Sequence, residues 1–146
     1  MDDIGKCVSD LMSTEIITLQ RNDKLAIADL AMKQRAIRHM PVLDESGKVC
    51  GVLSQRDVFR GALLRNLGYG GYLESKMLDS MVVKEAMVSP VITTTPDTPI
   101  RNAASTMVEN KIGCLPVIDK DELLGILTEE DFVRWVADGK CETAGN

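Results

Sequence analysis

Two short segments of this sequence place a hydroxyl side chain three residues before a carboxylate, in Ser54-Gln55-Arg56-Asp57 and in Thr128-Glu129-Glu130-Asp131. Each follows an apolar run typical of a strand and precedes a run with helical periodicity, so both are expected at the start of a helix. A helix N-terminus presents unpaired backbone N–H groups and partial positive charge, which favour an anionic ligand. A carboxylate there can also accept two hydrogen bonds from a ribose diol. Both segments are therefore candidate sites for an anionic ligand or for one that offers a diol.

The same spacing also has a local explanation. Ser/Thr-x-x-acid is the sequence of a capping box, in which the hydroxyl and the carboxylate bind the N–H groups of the helix itself, although Glu or Gln is the usual acid. Spacing by itself favours this capping role, so both explanations stay open at this point.

The two segments belong to an internal duplication. Residues 39–60 (HMPVLDESGKVCGVLSQRDVFR) align with residues 114–134 (CLPVIDKDELLGILTEEDFVR), and the match continues upstream, where Met12 aligns with Met87. The offset between the copies is about 75 residues and changes by one only in the turn at residues 44–48, where loops tolerate a change of length. The chain therefore carries two copies of one structural unit.

The elements that must position the two segments are predicted to run strand, helix, strand, strand, helix in each half, an α/β arrangement. Short β-branched runs predict the first strands at residues 16–18 and 91–93. Asp23 and the pair Thr98-Pro99 predict helix starts, with Pro99 at the first helical position. The other predicted elements are strands at residues 40–43, 49–53, 115–118 and 123–127 and helices that begin at Ser54 and Thr128.

The length of 146 residues fits one domain or two small halves that share a core. We predict the first repeat at residues 1–66, a connecting loop and helix at residues 67–80, the second repeat at residues 81–139 and a flexible tail at residues 140–146. Three glycines between Gly68 and Gly71 favour a loop in the connection.

Composition and charge disfavour several classes of protein. The formal net charge is −5 and no basic block is present, which disfavours sequence-independent nucleic-acid binding. No apolar run has the length of a membrane span, and the acidic, polar N-terminus differs from a signal peptide. The four cysteines are scattered without a CxxC pair, as expected for a reduced, cytoplasmic protein without a metal site.

The sequence also lacks the usual patterns of an active site. It contains no Walker-type glycine loop, no nucleophile elbow and no metal-ligand cluster, and a cysteine nucleophile would depend on the single histidine, His39. We therefore predict that the chain is not an enzyme, has no catalytic residues and requires no cofactor.

The duplicated pattern resembles a tandem pair of CBS domains, the arrangement called a Bateman module. The motifs that carry the resemblance are MST…IRHMPVLDESGKVCGVLSQRD in the first copy and MVS…IGCLPVIDKDELLGILTEED in the second, and the match covers about residues 7–137. The resemblance implies two repeats packed through their sheets about a pseudo-twofold axis, with ligand clefts between them. It also implies a stand-alone regulatory module, which associates into a homodimer.

The resemblance implies specific ligand contacts. Members of this family bind adenosine-containing ligands such as AMP, ADP, ATP or S-adenosylmethionine, with the Asp of the junction on the ribose and the Ser or Thr beside it. One implied site combines Asp57 and Ser54 with Ile92, Leu115 and Pro116, and the other combines Asp131 and Thr128 with Ile17, Met40 and Pro41. Plain core packing explains the apolar residues of these sets equally well.

The two copies differ just before the proline, where the first has Arg38-His39 and the second has Gly113-Cys114. The basic pair resembles one that contacts phosphate in nucleotide-binding members of the family, so the cleft that combines Arg38 and His39 with Asp131 is the predicted phosphate site. The planar guanidinium of Arg38 can donate two hydrogen bonds to a phosphate, and the imidazole of His39 is a pH-sensitive hydrogen-bond donor. Alternatively, Arg38 is a solvated charge and His39 a cation at a helix end.

The leading functional hypothesis is therefore a regulatory module that senses an adenosine-containing ligand and signals to an unidentified partner protein. The alternative is a dimeric interaction scaffold that binds no nucleotide.

Overall fold

The computed structural model describes residues 6–65 and 78–139. It contains two compact units: a continuous unit, Ile17–Val91, and a split unit, formed by Met1–Ile16 together with Ile92–Asn146. No helix in the described parts of the chain has both the length and the apolar character required to cross a bilayer.

In chain order the elements are α1 (Val8–Leu11), β1 (Leu19–Gln20), α2 (Leu25–Arg35), β2 (His39–Leu43), β3 (Val49–Ser54), α3 (Gln55–Arg65), a 3-10 turn (Val83–Glu85), α4 (Ile100–Asn110), β4 (Cys114–Asp119), β5 (Glu122–Thr128) and α5 (Glu129–Ala137). The predicted fold class, an α/β chain of two repeats built from helices and strands, is confirmed. The predicted tail at residues 140–146 and most of the predicted connection at residues 67–80 lie outside the described residues. Within the connection, residues 78–80 are described and are helical.

The continuous unit is built on a three-stranded sheet with the order β1-β2-β3. β1 runs parallel to β2, and β2 pairs with β3 in an antiparallel hairpin that sets His39 opposite Ser54. The buried apolar side chains of the sheet and of its helices form one aliphatic core, which consists of Leu19, Leu25, Ala28, Met32, Met40, Val42, Leu53, Val58, Met81 and Val83. This core fixes where β3 ends and α3 begins.

The split unit repeats the hairpin with β4 and β5, which sets Cys114 opposite Thr128. Its core consists of Val8, Ala103, Met107, Leu115, Val117 and Leu127. This core therefore includes Val8 of α1, although α1 lies near the N-terminus, far along the chain from the other residues of this core.

Each unit contains the segment that precedes the first strand of the other sequence repeat. In the split unit, the backbones of Ser13 and Ile126 exchange two hydrogen bonds of 2.9 Å. In the continuous unit, Val52 and Val88 pair in the same way, with N···O distances of 3.2 and 2.9 Å. Spatial units and sequence repeats therefore have different limits, and the repeat limits predicted from the sequence stay a prediction.

The predicted first strands at residues 16–18 and 91–93 are wrong in position. Pairing begins at Leu19 in the first half, and in the second half Thr94 alone forms a bridge, to Val117. β-branched residues favour strands only weakly, and the available pairing partner decides where a strand forms. Leu19 is the residue whose side chain enters the core.

The predicted helix caps are also wrong. Lys24 and Pro99 occupy the N-cap positions of α2 and α4, without a side-chain hydrogen bond to the helix. The carboxylate of Asp23 instead accepts a hydrogen bond from the Gln20 N–H at 2.8 Å, and the hydroxyl of Thr98 lies 2.6 Å from that of Thr95. These polar side chains stabilise the preceding turns because such local hydrogen bonds compete with capping.

The close approach of Met12 and Ser13 to β5 predicts that Gly125→Ala destabilises the protein. A Cβ at Gly125 would lie 2.8 Å from the backbone oxygen of Ser13 and 2.8 Å from the Sδ atom of Met12. The Ser13 oxygen cannot move without loss of its pairing with Ile126, so we expect a loss of about 1–3 kcal/mol in the free energy of unfolding, measured by chemical denaturation.

Gly61→Ala is the matched control for this substitution. The nearest atom to a Cβ at Gly61 is the flexible end of Met81, at 3.3 Å, and alanine favours the helical conformation of α3. Equal stability of the Gly125→Ala variant and the wild type would show that Met12 and Ser13 do not constrain β5.

Candidate functional site

The β3–α3 junction of the continuous unit holds the first of the two predicted binding segments. The N–H of Ser54 donates to Oδ2 of Asp57 at 2.9 Å, and the N–H of Asp57 donates to Oγ of Ser54 at 3.0 Å. Asp57 is buried, while Ser54 is half-buried. This reciprocal pair is a capping box, so the local explanation of the spacing is confirmed here.

The β5–α5 junction of the split unit has the same arrangement. Oδ2 of Asp131 accepts the N–H of Thr128 at 2.8 Å, and the Thr128 hydroxyl lies 3.3 Å from the same oxygen. Asp131 is buried as well. At both junctions the cap therefore uses one oxygen of the carboxylate and holds the side chain in a fixed orientation.

The second carboxylate oxygen faces an arginine one helical turn later. Oδ1 of Asp57 lies 3.7 Å from a guanidinium nitrogen of Arg60, and Oδ1 of Asp131 lies 3.5 Å from one of Arg134. Both arginines are largely exposed. These distances are long for a hydrogen bond, so Oδ1 retains capacity to accept hydrogen bonds from a ligand.

Arg60 and Arg134 are residues to which the sequence reasoning assigned no role. They occupy equivalent positions in the two copies, three residues after the aspartates. Residues three apart on a helix lie on the same face. That spacing, repeated in both copies, is the signal that would have identified them as partners of the carboxylates.

Burial raises the pKa of Asp131 above its ordinary value, although the hydrogen bonds from Thr128 and the charge of Arg134 act in the opposite direction. A carboxylate with a raised pKa in the folded state favours folding while it is protonated. That contribution is fully present below the unfolded-state pKa of about 3.9 and is lost as the pH rises through the folded-state value.

Asp131→Asn should therefore gain stability relative to the wild type as the pH rises above about 3.9. The amide cannot ionise, and its oxygen can still accept the Thr128 N–H, so the cap is preserved. Chemical denaturation of both proteins at a series of pH values between about 3 and 7 measures the difference. A difference that stays constant over this range would contradict the prediction.

The two residues predicted to bind phosphate, Arg38 and His39, lie at the first junction. The carbonyl of Arg38 accepts the N–H of Gln55 at 2.8 Å, and His39 stands opposite Ser54 in the β2–β3 hairpin. Within the continuous unit the backbone of Arg38 and His39 therefore lies beside Ser54 and Gln55 at the first junction. Their predicted combination with Asp131 joins residues of the two units and stays a prediction.

The equivalent place at the second junction has no basic side chain. The carbonyl of Gly113 accepts the N–H of Glu129 at 3.1 Å, and Cys114 stands opposite Thr128 with its side chain buried. Burial, followed by the charge of Asp131, raises the pKa of the Cys114 thiol. The thiol therefore stays protonated at neutral pH and is a poor nucleophile.

The apolar residues of the predicted sites are divided between core and surface. Met40 and Leu115 belong to the cores of their units, and Pro41 and Pro116 are fully buried beside them. Ile17 packs against the core of the continuous unit, whereas Ile92 is 38% exposed. Their predicted contact with adenine stays a prediction.

Among residues 6–65 and 78–139, no group of three or more His, Cys, Asp or Glu side chains is arranged to hold a metal ion. Cys7, Cys50 and Cys114 are free thiols. The cytoplasmic location predicted from the cysteine pattern stays a prediction.

Solved structures with the same fold include CBS-domain pairs with adenosine compounds. The CBS pair of protein MJ0100, in complex with 5′-methylthioadenosine and S-adenosyl-L-methionine, is 29% identical, with a TM-score of 0.76 over 92% of this chain and 98% of that chain. CBSX2 in complex with AMP is 26% identical, with a TM-score of 0.74 over 93% of this chain and 99% of that chain. CBSX2 is a protein of Arabidopsis thaliana.

Among curated proteins, homoserine O-acetyltransferase of Methanohalobium evestigatum is 31% identical over 130 residues, which are 88% of this chain and 24% of that protein. The chain thus spans about a quarter of the length of the first curated relatives it matches. So small a share does not extend the acetyltransferase activity to this chain.

The sequence profile of the CBS domain matches the chain twice, at residues 8–63 and 83–138. With its two junctions and paired hairpins, this chain belongs to the CBS-domain family.

Proposed function

We propose that this protein is a regulatory module that binds an adenosine-containing ligand at its strand-to-helix junctions and signals the bound state to a partner protein. The observation that carries the proposal is the buried carboxylate repeated at both junctions, Asp57 and Asp131, each held by its cap with one oxygen directed toward an exposed arginine. CBS-domain pairs of similar structure hold AMP, 5′-methylthioadenosine or S-adenosylmethionine.

The capping box and ribose binding are compatible roles for the same side chain. The cap fixes the carboxylate before any ligand arrives, which reduces the entropy that binding would otherwise cost. A ribose diol that donates to Oδ1 forms hydrogen bonds to a charged acceptor, and such bonds are stronger than those between neutral groups. An adenosine ligand therefore gains its ribose contact from a preorganised group.

Regulation requires a ligand that binds one conformation of the protein better than another. The proposed output is a change in the surface that a partner protein recognises. The proposal needs no catalytic step and no cofactor, in keeping with a binding module.

A homodimer is part of the proposal. Among the described side chains of α3 and α5, the large apolar ones that are exposed are Phe59 and Leu63 in the first repeat and Val133 and Val136 in the second. Phe59 and Val133 occupy equivalent positions of the two repeats. A second copy of the chain presents the same two apolar helix surfaces, as a twofold symmetric interface requires.

Phe59→Glu combined with Val133→Glu should convert the dimer to a monomer, because two buried carboxylates in each chain would lack partners in the interface. Sedimentation equilibrium measures the mass of the wild type and of the variant. Ser105→Glu on the exposed side of α4 is the control and should leave the mass unchanged. A variant with the mass of the wild type would contradict this interface.

The second candidate function is a dimeric scaffold that binds no nucleotide. The observation that favours it is that the caps satisfy the junction N–H groups of Ser54 and Thr128 with groups of the protein itself. Under this alternative Asp57 and Asp131 serve the helices alone.

Calorimetric titration of the nucleotide-stripped protein with AMP, ATP, 5′-methylthioadenosine and S-adenosylmethionine distinguishes the two candidates. The sensor hypothesis predicts saturable binding of at least one of them and a higher melting temperature in its presence. Absence of heat with all four, together with an unchanged melting temperature, would favour the scaffold.

A further inference from the structure

We propose that the two junctions select different classes of adenosine ligand: the junction at Asp57 takes a phosphorylated one, and the junction at Asp131 takes one with a neutral or cationic 5′ substituent. The inference rests on the proposed function and adds the ligand class of each site. It follows from the charges that surround two otherwise equivalent carboxylates.

The junction at Asp57 is basic. Arg56 is the second residue of α3, Arg60 faces Oδ1 of Asp57, and Arg38 is tied to the start of the helix through its carbonyl. Arg38 and Arg56 are exposed, and within residues 6–65 and 78–139 neither forms an ion pair. One arginine therefore faces the carboxylate, and two more lie at the same junction, exposed and available to a phosphate.

The junction at Asp131 is acidic. Glu130 stands where the first copy has Arg56, Glu129 stands where it has Gln55, and Gly113 replaces Arg38. The single arginine, Arg134, is paired with both Glu130 and Asp131. Two carboxylates therefore already neutralise the arginine, and a third, Glu129, lies at the start of the same helix.

These charges act on the 5′ end of a ligand and not on its adenosine part. A phosphate carries negative charge, which the first junction attracts and the second repels. A 5′-methylthio group is uncharged, and the sulfonium of S-adenosylmethionine is positive. Specificity of this kind comes as much from repulsion of the wrong ligand as from attraction of the right one.

This assignment differs from the one predicted from the sequence, which combined Arg38 and His39 with Asp131. The hydrogen bond from the Gln55 N–H to the Arg38 carbonyl and the position of His39 opposite Ser54 place the backbone of the basic pair beside the Asp57 junction, and this supports the new assignment.

Two charge exchanges at one equivalent position test the inference. Arg56→Glu gives the first junction the residue of the second, and Glu130→Arg does the reverse. The full-length, nucleotide-stripped wild type and both variants are titrated with AMP and with 5′-methylthioadenosine, which differ at the 5′ position. We expect Arg56→Glu to weaken AMP binding about tenfold and Glu130→Arg to strengthen it at the second junction by a similar factor. Binding of 5′-methylthioadenosine should change less than about twofold in both variants.

Arg101→Glu is the matched control, because Arg101 is the exposed second residue of α4 as Arg56 is of α3, and the change of net charge is the same. It should leave AMP affinity within about twofold of the wild type. If AMP binds the wild type and Arg56→Glu with equal affinity, or if Arg101→Glu has the same effect as Arg56→Glu, the inference is overturned while the proposed function stands. If neither ligand binds the wild type, the proposed function itself fails.

Discussion

Asp57→Asn combined with Asp131→Asn should reduce the affinity for adenosine-containing ligands by about 10- to 100-fold, the loss expected when hydrogen bonds to a charged acceptor are replaced by bonds to a neutral one. Each amide oxygen can still accept the N–H of Ser54 or Thr128, so both helix caps persist. Calorimetric titration with adenosine measures the loss, since adenosine carries the ribose diol and no phosphate.

The single variants separate the two junctions. Asp57→Asn should remove one class of binding site and Asp131→Asn the other, so that the number of sites per chain falls while the remaining site keeps its affinity. Glu15→Gln, an exposed substitution outside the junctions, is the control for the loss of one negative charge. If the double variant binds adenosine as the wild type does, the two aspartates act only as caps and the ribose assignment is wrong.

Arg38→Ala should weaken AMP and ATP by about 10- to 100-fold and leave adenosine nearly unaffected, because only the nucleotides carry a phosphate for the guanidinium to bind. The Arg38 carbonyl, which accepts the Gln55 N–H, belongs to the backbone and remains in the variant. Loss of the side chain therefore removes charge at the junction without removing the hydrogen bond that positions α3.

Arg35→Ala is the control for this prediction, since Arg35 is an exposed cation in the last turn of α2, three residues earlier. Its replacement should change AMP affinity by less than about twofold because exposed charges at a distance are screened by salt. Equal losses for AMP, ATP and adenosine on Arg38→Ala would show that Arg38 supports the fold of the site and does not bind phosphate.

The duplication and the two junctions could be identified from the sequence because their signals are local. Ser54 and Asp57, like Thr128 and Asp131, are three residues apart, and a cap forms from neighbours along the chain whatever the rest of the fold does. The hairpins were predicted to within one or two residues for the same reason, since alternating apolar residues and a short turn define them.

The position of the first strands depended on partners far away along the chain. Residues 16–18 have the composition of a strand, yet pairing starts at Leu19, where the register with Val42 and burial coincide. Thr94 forms a single bridge to Val117. Strand propensity is weak compared with such tertiary pairing. Composition therefore indicated the approximate position of each first strand, and the pairing partner determined which residues form it.

The sequence by itself determined the family, the order helix, strand, strand, helix that both halves share, and the two capped carboxylates. Each of these follows from short-range spacing or from the repetition of a pattern. Tertiary structure decided which segments complete each unit, with Ser13 paired to Ile126 and Val88 paired to Val52. It also decided the neighbours of each carboxylate. In both hairpins the strand register shifts by a bulge, after Val42 in the first and after Val117 in the second. The residues that face a junction therefore follow from hydrogen-bond pairing across the sheet, which spacing along the chain does not specify.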